Sequence, residues 1–338
     1  MKPPEMFTLK GSPERIEAGV TLYFHYPCFD GLISCVLASE FLERNQQWNI
    51  ARFCPVNYHY RDSWLAMELQ TPSAVVDFLY HPQARFWADH HGTTFVTEKA
   101  RLQFELHKKN SFLLFDSDAR SCASLLWSRF DGSLGEERFA QMVFWADKID
   151  SASYTSVEEA IFGDAPALRI NFTLLLRNDL DYCRLLVQEL RSKTLHEVSA
   201  LPEIQEKVSE VRRRTAAGLK HLEKHIRLEE GNIAAFDIET NPDEIVSRYA
   251  PYYFFEGAHY SISVVRSANA ARITAMRNPW RSFESIPLGK VFERFGGGGH
   301  QRVGAVNLTA EQSHRIPEIV AQVSSEMRKS AAVERVVA

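Results

Sequence analysis

No stretch of this sequence is long and apolar enough to span a membrane. Its opening residues, MKPPEMFTLKGSPERIEAG, lack the apolar core of a secretion signal. The expected compartment is the cytoplasm, with no membrane partner. Cysteine is scarce: Cys28, Cys35, Cys54, Cys122 and Cys183 are odd in number, scattered, and without a CxxC pair. That pattern excludes a zinc ribbon or a disulfide framework and fits reduced thiols. An excess of positive charge is also missing. With 39 Lys and Arg against 43 Asp and Glu, the formal charge is −4, which argues against a broad nucleic-acid-coating surface and leaves room for a local basic cleft. Internal repeats and low-complexity linkers are absent too. What remains is a chain of 338 residues, 45% hydrophobic and 24% charged, with the composition of a globular protein and enough length for two cores.

From about residue 20 to 150, strand-like and helix-like segments alternate. Thr21–Phe24 is β-prone, and GLISCVLASEFLERN then sets Leu32, Ile33, Val36, Leu37 and Phe41 on one helical face. Ala74–Val76, Arg85–Ala88 and Phe112–Phe115 read as further strands. SCASLLWSRF and EERFAQMVFWADKID read as helices. Such alternation predicts an α/β fold with a mostly parallel sheet covered on both faces. The second half differs. PEIQEKVSEVRRRTAAGLKHLEKHI predicts a long surface helix joining two domains, and AHYSISVVRS with ARITAMRN predicts a hairpin about Ser267–Ala271. A helix near Leu288–Phe295, a GGGGH loop, a strand VGAVNL and a terminal helix follow. The expected division is a first domain at 15–200, a linker helix at 201–230, and a smaller α/β domain at 231–330.

The strand ends carry the chemistry. His25 and Asp30 follow the first strand, Asp77 ends the second, and Asp89, His90 and His91 follow the third; Asp147 and Asp150 close a later helix. In open parallel sheets, loops at the carboxyl ends of the strands converge on the ligand. Carboxylates mixed with imidazoles form a hard-to-borderline metal site suited to Mn²⁺. A lone Asp at a strand end is usually a turn or cap former, and a lone His usually a hydrogen-bonded structural residue. Asp77 within VVDFLY is harder to dismiss, because a carboxylate in an apolar run is costly without a cation or donors. Gly296–Gly299 and His300 form a second signal, a loop whose amides could face an anion.

These segments together resemble the DHH phosphoesterase superfamily with its DHH-associated C-terminal domain, over most of the chain. ADHHGTT is similar to the motif that gives the superfamily its name, VVDF to the preceding single-Asp motif, and GGGGHQRVGA to the glycine-rich signature of the C-terminal domain. HYPCFDG takes the place of the first motif and WADKIDSA that of the last acidic one. The resemblance implies two α/β domains around a cleft and a pair of divalent ions, Mn²⁺ or alternatively Mg²⁺ or another divalent ion. It implies His25, Asp30, Asp77, His90 and Asp147 as metal ligands, with Asp77 bridging and Asp150 the alternative to Asp147. Asp89 and His91 would be catalytic, Asp89 orienting a histidine and His91 contacting the scissile phosphate. Gly297, Gly298, Gly299, His300, Arg266 and Arg277 would bind substrate. Cys28 is a departure: the family's first motif usually has an aspartate there, so one of the two metal sites is expected to be altered.

The expected function is metal-dependent phosphoester hydrolysis on short oligonucleotides or nucleotide phosphates. The alternatives are a nucleotide-binding regulatory protein with weakened catalysis, a single-strand exonuclease, and a cyclic dinucleotide phosphodiesterase. The sequence leaves the oligomeric state open, a homodimer included.

Overall fold

Strand β1 (Val20–His25) is buried at every position before His25, as expected of a strand covered on both faces. A computed structural model describes residues 19–337 apart from 131–132, 177–179, 240 and 268, and omits the side chains of His300 and of residues 330–337. Four more strands, β2 (Ile50–Val56), β3 (Ser73–Val76), β4 (Phe86–Asp89) and β5 (Leu113–Phe115), join β1 in an all-parallel sheet of order β2-β1-β3-β4-β5. The edge strand β2 went unpredicted: its ARFCPV sequence carries Arg52 and Pro55, and its burial is uneven.

Helix α1 (Phe29–Gln46) makes the crossover from β1 to β2. It buries all fourteen residues from Phe29 to Leu42, rather than the single face predicted. At about 1.5–3 kcal/mol for each fully buried Leu, Ile, Val or Phe, this helix is a main source of the unit's stability. Helix α2 (Glu98–His107) links β4 to β5, and α3 (Cys122–Arg129) and α4 (Glu137–Asp150) follow. Because β2 and β3 lie on opposite sides of β1, the winding direction reverses between β1 and β3. A crevice opens at such a switch point, at the carboxyl ends of the strands.

The chain divides into two compact units, 1–153 with 165–208, and 154–164 with 209–338. The short helix α5 (Val157–Phe162) therefore belongs with the second unit. Helices α6 (Pro166–Thr173), α7 (Leu180–Ser192) and α8 (Leu195–Ser199) belong with the first, and the division falls inside α9 (Pro202–Leu222).

In the second unit, β6 (Arg227–Glu229) and β7 (Ile233–Glu239) precede a short helix α10 (Ala250–Phe254) and the hairpin β8 (Tyr260–Ser267) and β9 (Ala270–Arg277). Helix α11 (Leu288–Glu293), β10 (Gly298–His300), β11 (Val303–Thr309) and α12 (Ile316–Val337) complete it. The sheet order is β10-β11-β9-β8-β7-β6, with β7 and β8 parallel and the other neighbours antiparallel. Ile262, Val264, Ile273 and Val306 of this sheet pack with Ile319, Val323 and Met327 of α12.

Gly218 lies inside α9, where alanine would ordinarily add about 1 kcal/mol of stability. Here a Cβ would sit 2.2 Å from the Ile245 carbonyl oxygen, because the 241–249 loop crosses the helix in backbone contact. Gly218→Ala is expected to destabilise by about 1–3 kcal/mol, as overpacking does, measured as a fall in the urea midpoint. An unchanged or higher midpoint would contradict that contact.

Candidate metal centre

Three strand ends and two helix ends of the first unit build one buried acidic site. His25 closes β1, and Asp77 follows β3 with a positive φ of 53°. A non-glycine residue in this region is uncommon and strained, though aspartate tolerates it better than most. Asp77 is fully buried, and its amide donates to the Ala88 carbonyl. Its Oδ2 lies 3.3 Å from His25 Nδ1. Its Oδ1 lies 3.8 Å from His90 Nε2 and 3.7 Å from His91 Nδ1.

Gly31 permits this approach. A Cβ there would be 2.1 Å from the His25 carbonyl oxygen and 3.2 Å from Asp77 Oδ2, so the first turn of α1 can reach the rim only without a side chain. One residue earlier, Asp30 accepts from the backbone amides of Cys122 and Ala123 at 2.7 and 2.9 Å and from Ser34 Oγ at 3.2 Å. It thereby caps the start of α3 and is itself fixed in place. Asp30 Oδ2 stands 3.6 Å from His90 Nε2.

The adjacent histidines take different tasks. His90 Nδ1 lies 3.1 Å from the Ala119 carbonyl, which can only accept, so Nδ1 carries the hydrogen. With Nδ1 so committed, Nε2 faces Asp30, Asp77 and Asp150, the last at 3.5 Å, and in a neutral ring it would turn its lone pair to them. A lone pair facing carboxylates is repulsive unless a cation lies among them. This imidazole, fixed through its other nitrogen, has the form of a metal-ligating histidine. His91 instead donates Nδ1 to Asp89 Oδ1 at 2.8 Å, and the same oxygen accepts from the amide of His90. Asp89 thus orients His91.

Among the described residues, three buried polar atoms in this rim have no hydrogen-bond partner: Asp77 Oδ1, Asp89 Oδ2 and His90 Nε2. Unpaired buried polar atoms at one site call for an ion or ordered water. The proton affinities tell the same story. Burial, reinforced by Asp30, Asp89 and Asp150, pushes the Asp77 carboxyl well above the usual carboxylate range. Burial and then the His91 charge press His25 down to about 3. His91 is opposed by burial but lifted to about 9 by Asp89, Asp150 and Asp30. For Asp89, burial acts upward, and the opposing His91 charge and hydrogen bond carry its carboxyl below the ordinary value.

Three overlapping donor sets have ligand atoms within 4.8 Å of one another: His25, Cys28 and Asp77; Asp77, His90 and His91; and Asp30, His90 and Asp150. Asp77 and His90 are each shared. The donors are oxygen, imidazole nitrogen and one sulfur, in an arrangement that fits two neighbouring divalent cations with Asp77 between them.

Some expected residues lie elsewhere. Asp147 accepts from Ser121 Oγ and stands in none of these sets. Asp150, one helical turn further on, stands in the set with Asp30 and His90. Arg266 is held by Asp237 through two 2.7 Å bonds, and Arg277 donates to the Asn278 and Phe283 carbonyls while its guanidinium lies over the Phe283 ring. Neither guanidinium stands open for phosphate. The GGGGH segment is also no open loop, since Gly298–His300 forms β10 against β11. The Gly297 amide donates to the Phe292 carbonyl, and a Cβ on Gly297 or Gly299 would lie 2.2 Å from a carbonyl oxygen of β11. These two glycines meet a packing requirement of the strand pair. The side chain of His300 lies outside the described residues.

Two contributors carried no earlier sign. Tyr58 sets its ring 4.9 Å from that of His25, and the Cys122 and Ala123 amides hold Asp30. A Ser-x-x-Ser capping box at Ser121–Ser124 marks where α3 begins, and it is the signal from which those amides could have been found.

No protein-family model matches the chain, and no curated protein does. Solved structures do match. The pGpG-specific phosphodiesterase PggH from Vibrio cholerae superposes with a TM-score of 0.67 at 16% identity, covering 91% of this chain and all of that one. RecJ from Thermus thermophilus in complex with Mn²⁺ gives 0.55 at 14% identity over 92% of this chain, which spans about half of that protein. A RecJ exonuclease bound to manganese gives 0.52 at 13% identity, covering 93% of this chain and 92% of that one. The chain shares the fold of these phosphodiesterase and exonuclease structures. Among the described residues, no helix is long and apolar enough to cross a membrane.

Without a cation, the clustered acids oppose folding. Asp77→Asn is therefore expected to stabilise the chelator-treated protein by about 1–3 kcal/mol, the range for relieving an uncompensated buried polar group. A urea melt at pH 8 with EDTA reads this, and a loss of stability would refute it. In the unaltered chain, Mn²⁺ at 100 times its dissociation constant is expected to add about 2.7 kcal/mol, and the Asn variant should lose most of that gain.

Proposed function

We propose that this protein is a phosphoester hydrolase of the DHH kind, dependent on divalent metal. Its substrates are short oligonucleotides of about dinucleotide length or nucleotide phosphates. The single observation that carries the reading is the set of orphaned buried atoms, Asp77 Oδ1 and His90 Nε2, at the centre of overlapping donor sets. The substrate size is supported by the likeness, over 91% of this chain and all of the other, to a protein described as a pGpG-specific phosphodiesterase.

Divalent ions, Mn²⁺ first among them, would lower the pKa of a water and neutralise charge on the phosphoryl oxygens. Asp30, Asp77, His90 and Asp150 would hold them, with His25 and Cys28 completing the other side. His91, cationic while bonded to Asp89, places a donor at the edge of the site and stabilises negative charge that grows on the phosphoryl group. Asp89 keeps that ring in one orientation and tautomer.

Purified protein with Mn²⁺ is expected to convert pGpG to mononucleotides, followed by chromatography. Asp77→Ala should abolish turnover. His91→Gln should lower kcat by about 100- to 1000-fold, as loss of a charge-stabilising donor does, and Asp89→Asn by about 10- to 100-fold as a positioning residue. Full activity in Asp77→Ala would overturn the proposal. A second reading, nucleotide binding with little catalysis, is favoured by Cys28 standing among the donors. Tight retention of pGpG without product in the same assay would establish it.

A further inference from the structure

Resting on the metal-centre reading above, we propose that the two ion positions differ in kind. The His25, Cys28 and Asp77 position takes a thiophilic borderline cation such as Zn²⁺ or Co²⁺ through the Cys28 sulfur. The Asp30, His90 and Asp150 position takes a hard ion such as Mn²⁺.

The geometry separates the two donor sets. The first combines an imidazole, a sulfur and one carboxylate from three elements: the end of β1, the N-cap position of α1, and the residue after β3. The second has two carboxylates and an imidazole, with no sulfur. Soft thiolate ligands select Zn²⁺ and its neighbours, whereas carboxylates suit Mn²⁺ and Mg²⁺. Coordination takes Cys28 as the thiolate, its proton passing to solvent; burial, then Asp77, Asp150 and Asp30, push the free thiol up, so it is the cation that would secure the anion.

Asp77 is fully buried and joins the two positions: its Oδ2 lies 3.3 Å from His25 Nδ1, and its Oδ1, 3.8 Å from His90 Nε2, has no hydrogen-bond partner among the described residues. The other cysteine near these acids is disposed differently. Cys122 is buried and donates its S–H to the Ala88 carbonyl at 3.3 Å, so it takes no part in the donor sets.

The test uses the full chain stripped with chelator. On titration with Co²⁺, a near-ultraviolet thiolate-to-cobalt charge-transfer band is expected to saturate at one equivalent per chain. Cys28→Ser should lose that band while keeping the visible cobalt absorption of the other position. Zn²⁺ affinity, measured by competition with a chromophoric chelator, should fall at least tenfold in Cys28→Ser. Cys28→Asp, which supplies a hard ligand, should gain at least tenfold in affinity for a second equivalent of Mn²⁺ and serves if the serine variant fails to fold. Cobalt bound without the band, or a band that survives in Cys28→Ser, overturns the assignment of Cys28 and leaves the metal-centre reading standing. No binding of Co²⁺ or Mn²⁺ by the unaltered chain or by Cys28→Asp would overturn both.

Discussion

Four aspartates, Asp30, Asp77, Asp89 and Asp150, share one buried rim, and three of them are essentially without solvent contact. Two unit charges about 4 Å apart repel by about 4 kcal/mol at an effective dielectric of about 20, a large fraction of a domain's whole stability. The protein compensates these charges unequally. Asp30 receives two backbone amides and a hydroxyl, and Asp89 receives a backbone amide and the His91 ring. Asp77 has His25 on one oxygen and no partner on the other. The carboxylate with the least compensation is also the one two donor sets share. A bridging ligand needs that disposition, because it must present one oxygen to each side of the rim, and a carboxylate anchored on both oxygens is less free to do so.

The fold serves this rim by bringing the ends of β1 and β3 side by side. Val76 pairs with Phe24, so His25 and Asp77 leave the sheet as neighbours, at the point where the winding reverses. Past β4 the backbone is free of the strand's alternation, and the His90 and His91 rings come within 4.5 Å of each other, near the shared Asp77. A strand would have sent adjacent side chains to opposite faces. Gly31 then lets α1 close over the crevice, carrying Cys28 and Asp30 in with it.

Much of this was legible because the signals were strong and local. Apolar runs gave the central strands, and a polar residue at each strand end gave the rim. What stayed hidden had weak or ambiguous signals. Asp147 and Asp150 are three apart on one helix, hence on nearly the same face, so spacing could not choose between them. Only the Ser121 hydroxyl, 26 residues away in sequence, shows that Asp147 is otherwise engaged. Arg266 and Arg277 show a different ambiguity. A sequence displays their charge and conceals that Asp237 and two carbonyls already take it up. The glycines near His300 are ambiguous for a similar reason: close strand packing and anion binding both require a bare backbone, and composition does not tell them apart.

Charge balance joins the two halves of the centre. Asp89 and His91 form a neutral pair of their own, leaving Asp30, Asp77 and Asp150 as three negative charges among the donor sets. Two divalent cations bring four positive charges. With Cys28 as a neutral thiol, the buried rim would hold an excess positive charge, which burial penalises as it does an excess negative one. With Cys28 as thiolate the donors match the ions. An aspartate at that position would give the same balance with a harder ligand, so cysteine leaves the total charge unchanged and alters only the preference among cations. Under the proposal, cysteine at that position would bear on which ion the β1 side takes, and the electrostatic case for two divalent cations would be the same with either residue.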